Sequence, residues 1–298
     1  MPEQDAFSAC HPAVIFLYFT LVLLFSMFLM HPVCLLISLF CAVCCLSVLT
    51  RGHGLWRSVA WVLPVVAVTA LINPLFNHAG VTVLCYLPHG NALTGESLVY
   101  GLAAGIMLAA VLVWFQCCSR VLRSDQFVYL FGRVIPALSL VLSMALRLIP
   151  RFRAQLKAVS EAQQGLGREA SKGTLRQRLH TAVTVFSVTL TWALENAIET
   201  AQSMNSRGYG LPGRTSFSIY RFTRQDRMAL AWLLMGGFYV FCASLSGALE
   251  FTYYPTLQGA AITPFTVSVY LVYLAVSLTP VFFHWKEAGQ WRCLNCAG

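Results

Sequence analysis

Long stretches without a charged side chain recur along the chain and form the strongest pattern in its sequence. A transmembrane helix needs about 20 consecutive, mostly apolar residues to cross the hydrocarbon core of a bilayer. Six uncharged runs come close to or exceed this length. They are residues 13–30, 33–50, 58–76, 97–119, 228–249 and 262–283. The pattern therefore predicts about six transmembrane helices.

Two further uncharged runs are shorter. Residues 134–146 and 179–194 each lie between charged residues. Runs of this length are typical of buried, re-entrant or interfacial helices rather than of spans. In the eight-span alternative both runs cross the membrane, which would carry Arg147 and Arg151 to the outer face. Because basic residues favour the cytoplasmic face, we expect six spans and keep eight as the alternative.

The composition supports an integral membrane protein. Hydrophobic residues make up 58% of the chain and charged residues only 10%, whereas about a quarter of the residues in ordinary soluble domains are charged. So few charges cannot cover a water-facing surface, which excludes a soluble enzyme and a disordered protein. The net charge of +9 is typical of cytoplasmic loops in membrane proteins, so it does not point to a nucleic-acid partner.

Basic residues are unevenly distributed among the connections between the predicted spans. The connections 77–96 and 250–261 contain neither Lys nor Arg, whereas basic residues flank the connection between the second and third spans and follow the fourth and the last spans. Positively charged loops stay in the cytoplasm. This distribution predicts that both termini and the whole stretch 120–227 are cytoplasmic.

Residues 147–227 differ from the rest of the chain. They carry 13 of its 20 basic and 5 of its 11 acidic residues, and therefore eight of the nine net positive charges. A first amphipathic helix is predicted from Pro150 onward, with opposite faces separated at 100° per residue. Its polar face contains Arg153, Lys157, Ser160 and Gln164, and its apolar face contains Leu148, Phe152, Leu156 and Val159.

A second amphipathic helix is predicted from about residue 177 to Ser206. Its continuous polar stripe consists of Thr181, Thr184, Ser187, Thr191, Glu195, Glu199 and Gln202. Small residues recur every four positions near its C-terminal end, namely Ala193, Ala197 and Ala201. Such spacing lets another helix approach closely. Gly208 follows directly and is a helix stop signal.

The sequence lacks the motifs of several kinds of enzyme. Residues 172–174 (Lys-Gly-Thr) resemble a fragment of a phosphate-binding loop, but Lys and Gly are in the wrong order. The seven His residues form no metal-binding spacing, and no Ser or Cys lies in a nucleophile elbow. We therefore expect a protein that is not an enzyme and that holds no cofactor and no metal.

Two alternative functions are weighed against the absence of these motifs. A self-sufficient secondary transporter usually carries charged residues inside its spans and internal inverted repeats, and neither is seen here. A membrane-embedded enzyme needs a polar cluster near one interface. The only candidates for such a cluster are Asn73, Asn77, His78 and His89. Turn capping explains the Asn-Pro pair better than catalysis does.

Four short segments together resemble the transmembrane T components of energy-coupling factor (ECF) transporters, which import vitamins and transition metals. They are residues 73–76 (Asn-Pro-Leu-Phe), 124–127 (Ser-Asp-Gln-Phe), 143–150 (Ser-Met-Ala-Leu-Arg-Leu-Ile-Pro) and 206–208 (Ser-Arg-Gly). The resemblance covers nearly the whole chain and is strongest from residue 73 to residue 210. Each segment alone is weak, but their combination is specific.

This resemblance implies an all-α integral membrane protein with about six transmembrane helices and two long amphipathic cytoplasmic coupling helices. Four spans would occupy residues 1–123, the coupling helices residues 124–215, and two spans with a cytoplasmic tail residues 216–298. The implied function is the T subunit of an ABC-type importer in a prokaryotic plasma membrane. Its implied partners are two ABC-type ATPase subunits and a substrate-binding S component. That S component, rather than this chain, would select the vitamin or metal.

The resemblance also implies site residues. In this family each coupling helix ends in an Ala-x-x-x-Arg-Gly-type motif that docks into an ATPase groove. The second motif is matched by Ala201, Ser206, Arg207 and Gly208. The first consists of Ala162, Gln163, Gly165, Leu166 and Gly167. It departs from the family because Leu166 stands where Arg is expected, with Arg168 two residues further on. The implied contacts with the S component or a neighbouring helix are Ala193, Ala197, Arg147 and Pro150.

Overall fold

The computed structural model is mainly helical and divides into two compact units. It describes residues 7, 10–50, 52, 54–77, 80–86, 92–132, 136–167, 174–209, 211, 220, 222–260 and 263–285. The membrane unit comprises Met1–Arg123 and Tyr220–Gly298, and the central unit comprises Ser124–Ile219.

The elements of the described residues follow in chain order. The helices are α1 (Pro12–Phe28), α2 (Pro32–Thr50), α3 (Leu55–Ala60), α4 (Leu63–Phe76), α5 (Gly95–Val121), α6 (Ser124–Gly132), α7 (Pro136–Gly165), α8 (Leu175–Ser206), α9 (Arg224–Leu245) and α10 (Pro264–Ser277). The strands are β1 (Val83–Tyr86), β2 (Ala92–Thr94), β3 (Phe251–Thr252) and β4 (Gln258–Gly259). β1 pairs with β2, and β3 with β4, as two short antiparallel hairpins.

Several helices of the membrane unit are long and apolar enough to cross a bilayer. In the described part of the chain four qualify by length and composition. They are Pro32–Thr50, Ser58–Phe76, Gly95–Val121 and Arg224–Leu245. A fifth span results when α10 and the following segment Thr279–Trp285 are taken together. The prediction of an all-α membrane protein is confirmed, while a sixth span through the 17-residue α1 stays a prediction.

Two predicted spans are interrupted. The last one bends by 54° between α10 and Thr279–Trp285. Pro280 lies in the first turn of that second segment, where its missing N–H removes no helical hydrogen bond. The third predicted span breaks at residues 61–62, between α3 and α4, and Pro64 likewise occupies the first turn of α4. Pro280 thus begins a bent second segment, whereas the break before Pro64 leaves Ser58–Phe76 a single candidate span.

Helices α4 and α5 approach each other very closely at two glycines. A Cβ atom added at Gly101 would lie 3.0 Å from the carbonyl oxygen of Ala70, and one at Gly105 would lie 3.0 Å from that of Val66. Small residues four positions apart let helix backbones approach in membranes. The side-chain amide of Asn73 also donates to the carbonyl of Ser97, at 3.1 Å, and so ties α4 to α5.

Buried polar side chains cross-link the core of the membrane unit. The indole N–H of Trp114 in α5 donates to the hydroxyl of Ser38 in α2, at 3.1 Å. That hydroxyl also bonds the hydroxyl of Ser26 in α1, at 2.6 Å. All three side chains are almost fully buried. Because their polar atoms pair with one another, these groups can lie in the core without the cost of an unsatisfied donor.

The central unit contains α6, α7 and α8. We expected the first amphipathic helix to begin at Pro150, but α7 is one continuous helix from Pro136 to Gly165 that contains this proline. A proline inside a helix removes one backbone hydrogen bond, at a cost of about 3 kcal/mol. The predicted apolar face of Leu148, Phe152, Leu156 and Val159 is half-buried. This packing offsets the cost, so the helix continues.

Candidate functional site

Helix α8 is delimited by clear signals at both ends. At its start the side chain of Gln177 accepts a hydrogen bond from the backbone N–H of Thr174, at 3.1 Å, as one half of a capping box. The helix then runs without interruption to Ser206, the predicted last residue. The sequence prediction for this helix is therefore confirmed, with a start two residues earlier than expected.

The C-terminal end of α8 is closed by a glycine in the left-handed region. Gly208 has φ +77° and its amide donates to the carbonyl of Asn205, at 3.0 Å. The amide of Tyr209 donates to the carbonyl of Met204, at 3.1 Å. Together these bonds form a Schellman motif, which fixes the direction in which the chain leaves the helix. Arg207 is the capping residue, and its side chain is exposed.

The end of α7 has the same backbone geometry. Gly167 has φ +76°, and its amide donates to the carbonyl of Gln164, at 2.9 Å. Both glycines need this conformation, which other residues adopt only with strain. The predicted pair of similar helix ends is therefore present as a repeated backbone shape.

Matching the C-terminal ends of α7 and α8 shows which residues occupy equivalent positions in the two ends. The amide of Leu166 donates to Ala162 at 3.3 Å, as that of Arg207 donates to Ser203 at 3.2 Å. Leu166 thus takes the position of Arg207, which agrees with the family motif that expects Arg where this chain has Leu166. In this hydrogen-bond pattern the residue equivalent to Ala162 is Ser203, and the assignment of Ala201 to the second docking end stays a prediction.

The two helix ends differ in chemistry. Leu166 is 71% exposed and offers an apolar surface, whereas Arg207 offers a cation with several N–H donors. Other predicted residues of the first end, Ala162, Gly165 and Gly167, are exposed. Gln163 is half-buried, and its side-chain oxygen has no hydrogen-bond partner among the described residues. Arg168, the possible substitute for the missing arginine, lies outside the described residues.

A groove between α7 and α8 gathers three arginines. Its volume is about 530 Å³. The polar side chains that line it are Arg147 and Arg151 from α7 and Asn196, Glu199, Ser203 and Arg207 from α8, among others. None of the three arginines forms an ion pair with an acidic side chain in the described part of the chain. The groove is therefore suited to carboxylates of a partner, because guanidinium groups bind them with two parallel hydrogen bonds.

The lining of this groove differs from the predicted grouping of the site residues. We assigned Arg147 and Pro150 together with Ala193 and Ala197, but Arg147 lines the same groove as Arg207, and neither alanine lines it. Pro150 is exposed on α7 and also lies outside the groove lining. The grouping was not accessible from the sequence because it depends on how α7 and α8 pack, which periodicity within one helix does not report.

An apolar stripe runs along the exposed side of α8. Its large residues are between 44% and 85% exposed. They are Leu175, Leu179, Val183, Phe186, Leu190, Leu194 and Ile198. Ala197 and Ala201 are also exposed, and Ala193 is half-buried. A continuous apolar stripe of this kind on the surface marks a protein or membrane contact.

Asn73 and Asn77, two of the candidate residues for a membrane-embedded enzyme, form hydrogen bonds to other parts of the chain. The amide of Asn73 bonds the carbonyl of Ser97 at 3.1 Å, and that of Asn77 donates to the hydroxyl of Tyr254 at 3.1 Å. Asn73 lies inside α4, so it joins two helices rather than capping a turn as we expected. The remaining candidates, His78 and His89, lie outside the described residues.

Comparison with known proteins supports the resemblance seen in the sequence. No family model matches the chain. Over 188 residues it is 28% identical to the energy-coupling factor transporter transmembrane protein EcfT of Bacillus selenitireducens, covering 58% of this chain and 68% of that protein. The chain is similar to EcfT proteins. The resemblance to ECF transporter transmembrane components is thereby confirmed.

Two further EcfT proteins show the same similarity over shorter parts of their length. The EcfT of Staphylococcus aureus is 25% identical over 171 residues, which cover 53% of this chain and 63% of that protein. The EcfT of Lacticaseibacillus paracasei is 31% identical over 107 residues, covering 36% of this chain and 39% of that protein. The similarity of this chain to these three relatives thus spans between 39% and 68% of their lengths.

Proposed function

We propose that this EcfT-like chain is the T subunit of an ECF-type ABC importer in a bacterial plasma membrane. In this role it transmits the ATP-driven movement of two ATPase subunits to a substrate-binding S component, and it catalyses no reaction itself. The observation that carries the proposal is the pair of matching helix ends at Gly167 and Gly208. Two equivalent docking ends on one chain suit two ATPase subunits of similar shape.

The geometry of the central unit suits transmission of movement. Helices α7 and α8 contain 30 and 32 residues, so each is about 45 Å long. The docking ends are held by backbone hydrogen bonds and by glycines with a fixed conformation, and therefore a displacement applied there moves the helix as a rigid rod. The ATPases must bind these ends differently in their two nucleotide states, since equal binding would shift nothing.

The apolar stripe on α8 is the proposed contact for the S component. A partner that is itself a membrane protein presents apolar helix surfaces. Ala197 and Ala201 leave room for a helix of that partner to come close. Leu194 and Ile198, which are 58% and 59% exposed, provide apolar area beside them. The specificity for a vitamin or a metal ion would then belong to the S component.

Co-purification tests the proposed function. A tagged chain is co-expressed with candidate ATPase subunits and an S component from the same genome, and all should be recovered together in detergent. Ala197→Leu should reduce recovery of the S component by about ten-fold, because an added side chain at a close contact costs 1–3 kcal/mol. Recovery of the ATPases should not change.

Ala158→Leu is the matched control for this substitution. Ala158 is also exposed, but it lies on α7 beside Lys157 and away from the α8 stripe. The same added volume should leave recovery of the S component unchanged. Equal recovery for wild type and Ala197→Leu would show that the α8 stripe does not contact the S component, and absence of the ATPases from the wild-type complex would contradict the T-subunit function.

The orientation of the chain is tested by cysteine labelling. In a background without native cysteines, a cysteine at Arg151 should react with a membrane-impermeant maleimide only after the cells are permeabilised. A cysteine at Val81, which is 66% exposed in the connection without basic residues, should react in intact cells. Labelling of position 151 from outside would contradict both the cytoplasmic central unit and the six-span arrangement.

A further inference from the structure

A second cavity lies in the membrane unit, far along the sequence from the docking ends. Its volume is about 730 Å³. One wall is formed by Ser58 in α3 and by Trp61 at the break between α3 and α4, and the other by the C-terminal turns of α5. Both walls belong to segments that are long and apolar enough to cross a membrane, Ser58–Phe76 and Gly95–Val121. The cavity therefore opens at the membrane surface where α5 ends.

The α5 wall changes from charged to apolar along the helix. Arg120 lies in the last turn of α5, Gln116 lies one turn deeper, and Leu112 two turns deeper. With a rise of 1.5 Å per residue, Leu112 lies about 12 Å from Arg120 along the helix axis. The cavity thus offers a cation at the level of the lipid head groups and apolar side chains within the hydrocarbon. A phospholipid has the same order, with a charged phosphate at the membrane surface and acyl chains in the hydrocarbon.

Aromatic side chains complete the apolar part of the cavity. Trp61 is 74% exposed and Phe115 is 53% exposed, so both present ring surface to whatever fills the cavity. Tryptophan is enriched at the membrane–water interface, where its ring lies at the level of the head groups. Both rings line the same cavity as Arg120, so one ligand can contact the cation and the rings at once.

The positive charge of Arg120 favours a lipid with an anionic head group. Arg120 forms no ion pair with an acidic side chain among the described residues. Basic pockets between transmembrane helices bind anionic lipid head groups. We propose that this cavity binds an anionic glycerophospholipid, with its phosphate at Arg120 and an acyl chain along Leu112, Phe115 and Trp61. The proposal does not depend on the proposed transport function.

Quenching of tryptophan fluorescence by brominated lipids tests this site. The full-length chain is reconstituted into phosphatidylcholine vesicles that contain a minor fraction of brominated phosphatidylglycerol or, for comparison, brominated phosphatidylcholine. The signal of Trp61 is obtained as the difference between wild type and Trp61→Phe. We expect phosphatidylglycerol to be enriched about five-fold at Trp61, a factor that corresponds to ~1 kcal/mol for one cation at the membrane surface.

Variants at Arg120 separate this site from general attraction to the membrane. Arg120→Gln should abolish the enrichment, and Arg120→Lys should retain most of it, because the positive charge is kept. Arg227→Gln is the matched control. Arg227 is exposed in the first turn of α9, where the basic residues predict the same membrane surface, but it does not line the cavity. This control should leave the enrichment at Trp61 unchanged.

Four results would overturn the proposal. The first is equal quenching by the two brominated lipids in the wild type, and the second is equal enrichment in wild type and Arg120→Gln. The third is displacement of the lipid by soluble glycerol 3-phosphate, which would show that a free phosphate compound is the ligand. The fourth is an equal loss of enrichment in Arg120→Gln and Arg227→Gln, which would show that general attraction to the membrane surface accounts for it.

Discussion

Replacing Arg207 by alanine should weaken the binding of this chain to the proposed ATPase subunits by about 30-fold or more. Arg207 is exposed at the capping position of α8 and has no acidic partner in the described part of the chain. If the proposed ATPase groove offers a buried carboxylate, truncation leaves that charge unpaired, at about 2–5 kcal/mol. Even the lower value corresponds to a weakening of about 30-fold.

Three further variants make this result specific. Arg207→Lys should also be impaired, because an ammonium group cannot form the two parallel bonds of a guanidinium. Leu166→Ala should cause a smaller loss that does not depend on salt, as expected for an apolar contact. Arg153→Ala is the control, since it removes an exposed arginine of α7 that does not line the groove.

The measurement is ATPase co-purification and substrate uptake at low and at high salt concentration. High salt should weaken recovery of the ATPases by the wild type, because it screens the attraction that brings the exposed Arg207 to its partner, whereas the loss caused by Leu166→Ala should be the same at both salt concentrations. Equal defects for Arg207→Ala and Leu166→Ala would contradict the difference between the two helix ends. An unimpaired Arg207→Ala variant would show that this arginine does not couple the chain to an ATPase.

The second large effect is expected at Gly105. Replacing a helical glycine by alanine normally stabilises a helix by about 1 kcal/mol. Here the added Cβ would lie 3.0 Å from the carbonyl oxygen and 3.2 Å from the Cα of Val66, and backbone atoms cannot turn aside as a side chain does. Gly105→Ala should therefore destabilise the protein, and Gly105→Leu should force α4 away from α5 at a cost of 1–3 kcal/mol or more.

Thermal unfolding in detergent measures this effect. Gly165→Ala is the control, because an added Cβ at Gly165 meets nothing within 4 Å. This control should leave the melting temperature unchanged or raise it, whereas both variants of Gly105 should lower it. A higher melting temperature for Gly105→Ala would show that α4 and α5 are not in such close contact.

The parts of the fold that depend on local sequence were predictable. The end of α8 at Ser206 follows from a glycine two residues later, and the apolar runs mark the spans because a bilayer imposes their length. The all-α membrane class and the family resemblance needed nothing more than these patterns. The membrane class and the family resemblance both depend on short segments of consecutive residues, which can be read directly from the sequence.

The parts that depend on packing between distant elements were not predictable. A proline at position 150 indicates a helix start, yet α7 continues through it because packing of its apolar face outweighs one lost hydrogen bond. That Arg147 and Arg207 line one groove depends on how α7 and α8 are packed together. The close approach at Gly105 likewise depends on Val66 in α4, which lies about forty residues earlier in the chain. The periodicity of one helix does not report its distance from another helix.

The difference between Leu166 and Arg207 has a consequence for how the proposed assembly is oriented. The two proposed docking ends have the same backbone conformation but different side chains. Exchanging the two binding partners would therefore place an apolar side chain where a cation is expected, and a cation where an apolar side chain is expected. If the ATPase partners are two different proteins, this inequality tells each of them where to bind. If they are two copies of one protein, the two copies bind the two helix ends with different strength. The same ATPase movement is then transmitted more strongly to one helix than to the other, and the pair of helices tilts instead of moving along a straight line.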